Sequence, residues 1–161
     1  MPIKVGDRLP DTTFYVLTSE GPKPKSSGEV FKGRKVALFA VPGAYTPTCS
    51  NVHLPSFARN ADAIKAKGID TIAVTAVNDP FVLAHWVKSG GAEGKIETLG
   101  DGNAQFAKAV GMDFDASGRG LGTRSKRYSM LVVDGVVKQF NIDDQPGQCS
   151  VSSGDEILKQ L

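Results

Sequence analysis

The sequence has little cysteine, little histidine and almost no charge imbalance. Cys49 and Cys149 are its only cysteines, 100 positions apart, which is too few for a secreted disulfide framework and fits no metal-binding spacing. With His53 and His85 as the only histidines, we expect no zinc site and no metal or other cofactor. The net charge is only +2, and the sequence contains no block of Lys or Arg. Composition therefore does not indicate binding to nucleic acid or to a membrane surface.

Long apolar runs are also absent, since none reaches the roughly 18 residues that a membrane-spanning helix needs. The N-terminal segment, MPIKVGDRLPD, has neither an apolar signal-peptide region nor an Arg- and Ser-rich transit composition, so we expect a cytoplasmic protein. With 161 residues, 40% hydrophobic and 22% charged, the chain is typical of one globular domain over residues 1–161.

Six segments have the composition of β-strands. Two of them, VALFAV and IDTIAVTAV, are nearly continuous apolar runs, as in central strands covered on both faces. Asp134-Gly135 predicts a two-residue hairpin between the last two strands, and the segment 19–28 is predicted to be a surface loop. The predicted strands are 12–18, 35–41, 69–77, 96–99, 128–133 and 136–141.

Four helices alternate with these strands. The first is predicted over 47–67, with Thr46 as N-cap, Pro47 in the first turn and a kink at Pro55. The others begin at the Asn78-Asp79-Pro80 cap and span 103–110 and 153–161. This order predicts an α/β thioredoxin-like fold, with a central mixed β-sheet flanked by helices.

The segment VPGAYTPTCS, residues 41–50, carries the strongest functional signal. It places Cys49 in the first turn of a helix, after a buried strand. Unpaired backbone N–H groups and the helix dipole favour a thiolate there, and the thiolate is the nucleophilic form. We expect the Thr46 hydroxyl to cap the helix and to reach the sulfur, while Pro42 stiffens and shields the loop.

An arginine near the sulfur would stabilise the thiolate and donate to a bound oxygen. Residues 119–127 contain three arginines and a lysine before a predicted strand. We expect Arg124 to be the active-site arginine, because it follows the flexible GRGLG stretch and precedes the strand. His53, four residues after Cys49, is disfavoured as a catalytic base because no Asn or Asp partner is evident to orient it.

Cys149 lies in the loop QPGQCS before the last helix. It is either an inert thiol or a resolving thiol that condenses with oxidised Cys49. Because disulfide geometry demands close Cα atoms, we expect the loop 145–148 or the first turn after Pro47 to move when the two cysteines pair.

Three motifs together match a known family. Pro42, Thr46 and Cys49 stand in the pattern P-x-x-x-T-x-x-C, which resembles the peroxiredoxin active site. PGAYTPTCSNVHLPSF, AVNDPFV and GTRSKRYSMLVVDGVVK are similar, in order, to the type II peroxiredoxins that include mammalian peroxiredoxin five. The resemblance implies a thioredoxin-like fold and a thiol peroxidase without metal, haem or flavin.

By this resemblance Cys49 is the peroxidatic cysteine, Pro42 and Thr46 shape its pocket, Arg124 activates it and Cys149 resolves it. Thioredoxin or glutaredoxin with glutathione is the implied reductant. The resemblance also implies a homodimer through the Tyr45 loop and the start of the NDPFV helix.

Two alternatives remain open at this stage. One is a one-cysteine peroxidase that glutathione or glutaredoxin resolves directly. The other is a peroxide sensor or holdase without fast turnover. A thioredoxin-type disulfide reductase is disfavoured because the sequence has no C-x-x-C.

Overall fold

A computed structural model describes residues 2–145 and 147–161. The strands are β1 (Thr13–Thr18), β2 (Gly21–Ser26), β3 (Lys35–Ala40), β4 (Thr71–Ala76), β5 (Glu97–Gly100), β6 (Asp113–Asp115), β7 (Thr123–Ser125), β8 (Arg127–Val133) and β9 (Val136–Asp143). The α-helices are α1 (Ser27–Phe31), α2 (Leu54–Ala66), α3 (Pro80–Ser89), α4 (Gln105–Ala109) and α5 (Gly154–Lys159). In this part of the chain, no helix is long and apolar enough to cross a membrane.

Seven strands form one mixed sheet in the order β2-β1-β5-β4-β3-β8-β9, while β6 and β7 form a separate pair. The two continuous apolar segments become β3 and β4, which pair in parallel at the centre. One apolar cluster packs α2, α3 and α5 on one face, through Phe57, Trp86 and Ile157. The other packs α1 and α4 on the opposite face, through Phe31 and Phe106. The predicted mixed sheet with flanking helices is confirmed.

Local sequence signals account for most element boundaries. Asp134 and Gly135 have φ of 48° and 78°, as the two-residue hairpin between β8 and β9 requires. The Asp79 side chain accepts a hydrogen bond from the Val82 N–H and caps α3, as predicted. By contrast, the predicted loop 19–28 contains strand β2. Prolines are tolerated there because β2 is an edge strand with only β1 as a neighbour.

The long helix predicted over 47–67 is interrupted by a π-helical turn over Cys49–His53. The Leu54 N–H bonds back to the carbonyl of Cys49, five residues earlier, and α2 begins at Leu54. Pro55 explains the place of this irregularity, because it has no N–H to give the carbonyl four residues earlier and its ring clashes there. The predicted kink therefore takes the form of a wider turn, at the start of which Cys49 lies.

Candidate active site

Cys49 lies beyond the carboxyl end of β3, in the first turn of helical backbone. The Ser50 N–H bonds to the Thr46 carbonyl at 3.0 Å, so the helical turn begins just after Thr46. The Cys49 side chain has no solvent exposure and belongs to the apolar cluster beneath α2. The thiol is therefore buried at a helix start, where the sequence predicted it.

The loop before Cys49 is held by hydrogen bonds at two points. The Ala44 N–H donates to Asn78 Oδ1 at 2.9 Å, which ties the loop to the start of α3. The Thr46 hydroxyl donates to the Gly43 carbonyl at 2.7 Å, instead of accepting from a first-turn N–H as predicted. The tight turn 43–46 explains this difference, because it brings its own carbonyl within reach of the hydroxyl. The oxygen of Thr46 keeps lone pairs with which to accept a further hydrogen bond.

Arg127 is the arginine in contact with the thiol. In the antiparallel pairing of β3 with β8, Ala40 lies opposite Tyr128, so Arg127 sits beside the carboxyl end of β3. Its side chain is 1% exposed, and Nη2 donates to Cys49 Sγ at 3.1 Å. A guanidinium at this distance can donate a charge-assisted hydrogen bond to the sulfur.

His53 lies on the other side of the same guanidinium. Arg127 Nη1 donates to His53 Nδ1 at 2.9 Å, and His53 Nε2 lies 2.9 Å from the Ser152 carbonyl. Burial, and then the Arg127 charge, lower the pKa of His53 to about 3, so the ring is neutral at physiological pH. The hydrogen bond to a backbone carbonyl and the charge of Asp143 oppose this shift only in part.

Arg124 was predicted to be the guanidinium on the thiol, and this contact belongs to Arg127 instead. Arg124 lies in β7, where Nε donates to the Leu121 carbonyl at 2.9 Å and Nη1 lies 3.4 Å from the Pro42 carbonyl. A Cβ on Gly43 would come within 2.7 Å of Arg124 Nη1, so the guanidinium covers the Pro42-Gly43 backbone.

The sequence shows only that Arg127 stands directly before the predicted strand 128–133, and the strand pairing selects it. Arg127 begins β8, which pairs with β3, the strand before Cys49. Alternation puts Arg127 on the same face of β8 as Ser129, and Ser129 lies opposite Phe39. The position of Arg124 before the strand was a weaker guide than this register.

Cys149 has different surroundings. It is a free, half-buried thiol, with Sγ 3.9 Å from the Ser152 hydroxyl oxygen. Burial raises the pKa of the Cys149 thiol, and this effect outweighs the hydroxyl and the Arg127 charge, which lower it. Its loop touches the Cys49 helix, because the Thr48 hydroxyl donates to the Gly147 carbonyl at 3.0 Å. Part of the loop expected to move, Pro146, lies outside the described residues.

Exposed apolar side chains lie beside the active-site loop. Tyr45 is 52% exposed and Phe81 is 56% exposed, with Val82 next to it. Tyr45 has a φ of 67°, in the left-handed region, and its hydroxyl bonds to His85 Nδ1. A large residue in this strained conformation needs support from its contacts, which here include the His85 ring.

Known proteins resemble this chain over nearly its full length. A family model described as redoxin matches residues 4–158. Peroxiredoxin-2E-2, chloroplastic, of Oryza sativa subsp. japonica is 46% identical over 164 aligned residues, which cover 99% of this chain and 72% of the rice protein. Reduced Prx3 of Vibrio vulnificus in complex with H₂O₂ has a TM-score of 0.93 and 46% identity over 98% of each chain. Peroxiredoxin 5 of Alvinella pompejana has a TM-score of 0.85 and 37% identity, over 98% of this chain and 97% of its own.

These similarities confirm the predicted thioredoxin-like α/β fold. The relatives carry the peroxiredoxin name at identities that leave the family in no doubt. The chain therefore belongs to the redoxin family and, within it, to the peroxiredoxins, the thiol-dependent peroxidases.

Proposed function

We propose that Cys49 is the residue that reduces the peroxide. The observation that carries this proposal is the 3.1 Å contact between Arg127 Nη2 and the buried Cys49 sulfur at a helix start. The guanidinium favours the thiolate, and the thiolate attacks the terminal peroxide oxygen. An S–O bond forms and the O–O bond breaks, so sulfur is oxidised to a sulfenic acid. The other oxygen leaves as hydroxide or alkoxide and takes a proton from water.

The same groups would hold the two oxygens during attack. Arg127 can donate to the oxygen that develops negative charge, and unpaired N–H groups of a helical first turn are donors of the same kind. The Thr46 hydroxyl donates to Gly43, so its oxygen can accept the hydrogen bond of a hydroperoxide. The Arg124 guanidinium lies against the Pro42-Gly43 backbone and supports the loop before Cys49. Thr46, Pro42 and Arg124 therefore shape the pocket, while Arg127 has the activating role.

Cys149 is the resolving thiol in this proposal. Its thiol condenses with the Cys49 sulfenic acid, which releases water and leaves a disulfide within one chain. Contact between the two segments supports this step, because the Thr48 hydroxyl bonds to Gly147, two residues before Cys149. A dithiol donor, thioredoxin or glutaredoxin with glutathione, then reduces the disulfide by thiol exchange.

One observation favours the one-cysteine alternative, in which glutathione or glutaredoxin attacks the Cys49 sulfenic acid. Burial raises the pKa of Cys149, so this thiol is protonated and a weak nucleophile at neutral pH. Mass measurement of the non-reduced protein after one equivalent of peroxide separates the two mechanisms. An internal disulfide lowers the mass by two hydrogens, whereas a sulfenic acid adds one oxygen.

The exposed pair Tyr45 and Phe81 supports a homodimer through this side of the molecule, because aromatic side chains of this size form an apolar patch when unpaired. We also propose a cytoplasmic site of action. Three relatives have chloroplastic or mitochondrial names, so fractionation of the source cells is the measurement that decides the compartment.

The test of the proposed chemistry is a Cys49→Ser variant. We expect it to fold, because serine is close in size to cysteine, and to consume no hydrogen peroxide above the uncatalysed rate with either reductant. Circular dichroism and thermal unfolding check the fold. A folded Cys49→Ser protein that still turns over peroxide would refute the assignment.

A further inference from the structure

A chain of hydrogen bonds runs from the thiol to the segment that follows Cys149. Cys49 Sγ accepts from Arg127 Nη2 at 3.1 Å, and Arg127 Nη1 donates to His53 Nδ1 at 2.9 Å. His53 Nε2 lies 2.9 Å from the Ser152 carbonyl. His53 and Arg127 are almost completely buried, so these contacts form away from water.

The partners decide the tautomer of His53. A guanidinium can only donate, so Nδ1 must be the accepting nitrogen of the ring. Nε2 then carries the proton and donates it to the Ser152 carbonyl. The low pKa of His53 agrees with this neutral form. Each ring nitrogen therefore has one fixed partner, and the ring is held against Phe39, with ring centroids 4.9 Å apart.

Asp143 anchors the far end of this chain. It accepts hydrogen bonds from the backbone N–H groups of Ser150 and Ser152, each at 3.1 Å, and from both serine hydroxyls. Burial raises the pKa of Asp143, but these hydrogen bonds outweigh it, so the net shift is downward and the group is a carboxylate at neutral pH. Asp143 is also the β-ladder partner of Arg127, which fixes the segment beside the arginine.

We propose that His53 is a positioning residue for peroxide reduction, which aims the Arg127 guanidinium at Cys49 Sγ and is itself held by the Asp143-anchored segment 150–152. This inference rests on the proposed role of Cys49. An arginine side chain has many rotamers, and a buried acceptor at a fixed place selects the one that points Nη2 at the sulfur. The segment after Cys149 thus supports the site in the reduced protein, apart from any role of Cys149 in forming a disulfide.

The test uses the full chain in a Cys149→Ser background, where Cys49 is the only thiol. Two readouts are taken for each variant: the rate of Cys49 alkylation by iodoacetamide against pH, and the single-turnover rate with hydrogen peroxide. His53→Leu removes both hydrogen bonds of the ring. His53→Gln keeps an oxygen that can accept from Arg127 and an N–H that can donate to Ser152.

For His53→Leu we expect the alkylation midpoint to move up by about one pH unit, as when a charge partner of a thiolate is displaced. The peroxide rate should fall by about ten- to a hundredfold, the usual range when a group that orients an active-site residue is lost. His53→Gln should recover most of both, which a purely structural role of the ring would not explain.

The anchor is tested by Asp143→Asn, with the exposed neighbour Asp144→Asn as the matched control for loss of one charge. We expect Asp143→Asn to shift both readouts in the same direction as His53→Leu, by a smaller amount, and Asp144→Asn to leave both at their starting values. Equal shifts in the two Asp variants would mean that charge alone acts, and would overturn the anchoring role.

A folded His53→Leu protein with an unchanged alkylation midpoint and peroxide rate would overturn the positioning role. If His53→Leu does not fold, the other two variants decide. A changed alkylation midpoint and peroxide rate in His53→Gln, together with unchanged values in Asp143→Asn, would then overturn the positioning role. Shifted alkylation midpoints in a protein whose thiol never reacts with peroxide would support the positioning of Arg127 and refute the proposed function.

Discussion

Cys49 and Cys149 are the same residue in two different surroundings. Cys49 is fully buried at the start of a helix, with a guanidinium nitrogen 3.1 Å from its sulfur. Cys149 is half-buried in a loop, where its sulfur has a serine hydroxyl at 3.9 Å as its nearest polar partner in the described contacts. Both are free thiols in this structure.

The difference shows that burial alone does not decide the chemistry of a thiol. Burial raises the pKa of Cys149, and the Ser152 hydroxyl and the Arg127 charge offset this only in part, so the thiol stays protonated at neutral pH. Cys49 is more deeply buried, but its sulfur accepts a hydrogen bond from the buried Arg127 guanidinium. The proposed attacking thiol and the proposed resolving thiol thus differ in their polar partners as well as in their exposure.

The largest effect should come from removing the Arg127 guanidinium, which contacts Cys49 Sγ and so distinguishes the surroundings of Cys49 from those of Cys149. Arg127→Ala should slow peroxide attack by about a hundred- to a thousandfold, the usual loss when one donor to a developing oxyanion is removed. Stopped-flow measurement of the first turnover gives this rate. Arg124→Ala should slow it by much less, because the Arg124 guanidinium contacts the Pro42 carbonyl and not the sulfur. A larger loss in Arg124→Ala would return the activating role to Arg124.

Changing the second thiol should affect a later step. Cys149→Ser should keep the stoichiometric reaction with peroxide and lose about tenfold or more of thioredoxin-supported turnover, because the sulfenic acid has no thiol within the chain. It should also overoxidise more readily to sulfinic acid, which mass spectrometry detects as two added oxygens. Full turnover with thioredoxin in this variant would favour the one-cysteine mechanism.

The exposed aromatic patch consists of Tyr45 and Phe81, which are distant in sequence from the Cys149 loop. Phe81→Asp should weaken self-association by about tenfold or more, since it places a charge in an apolar contact. Formation of the Cys49–Cys149 disulfide should continue, because both thiols belong to one chain. Sedimentation at several concentrations measures the first effect and non-reducing mass measurement the second. A wild-type protein that is monomeric at all concentrations would contradict the dimer.

The smallest effect concerns the dependence of stability on pH. The pKa of His53 is lowered to about 3, so between pH 3 and its ordinary value near 6.5 the unfolded chain binds more protons than the folded protein. The free energy of unfolding should therefore fall as the pH falls through this range, with no contribution from His53 above it. His53→Gln does not titrate and should show a shallower fall in denaturant titrations. Equal slopes in the two proteins would contradict a buried neutral His53.

Much of the fold followed from local patterns. The two apolar runs became β3 and β4, Asp134-Gly135 became the hairpin, and the Asp79-Pro80 pair began α3. Strand β2 was missed because its prolines are tolerated only at a sheet edge, and edge position is a property of the whole sheet. The pair of β6 and β7 was missed for another reason, because strands of three residues are too short to show an alternating pattern in the sequence.

The sequence by itself located the thiol at a helix start, because the strand, the proline-rich loop and the helix start all lie within about ten residues of Cys49, where local rules hold. Only the tertiary structure decided which arginine meets the thiol, which nitrogen of His53 carries the proton and what holds the Cys149 loop. Arg127 is 78 residues from Cys49, and Ser152 is 99 residues from His53. Such contacts depend on the register of β8 against its neighbours, and a shift of one residue would turn Arg127 to the opposite face of the sheet.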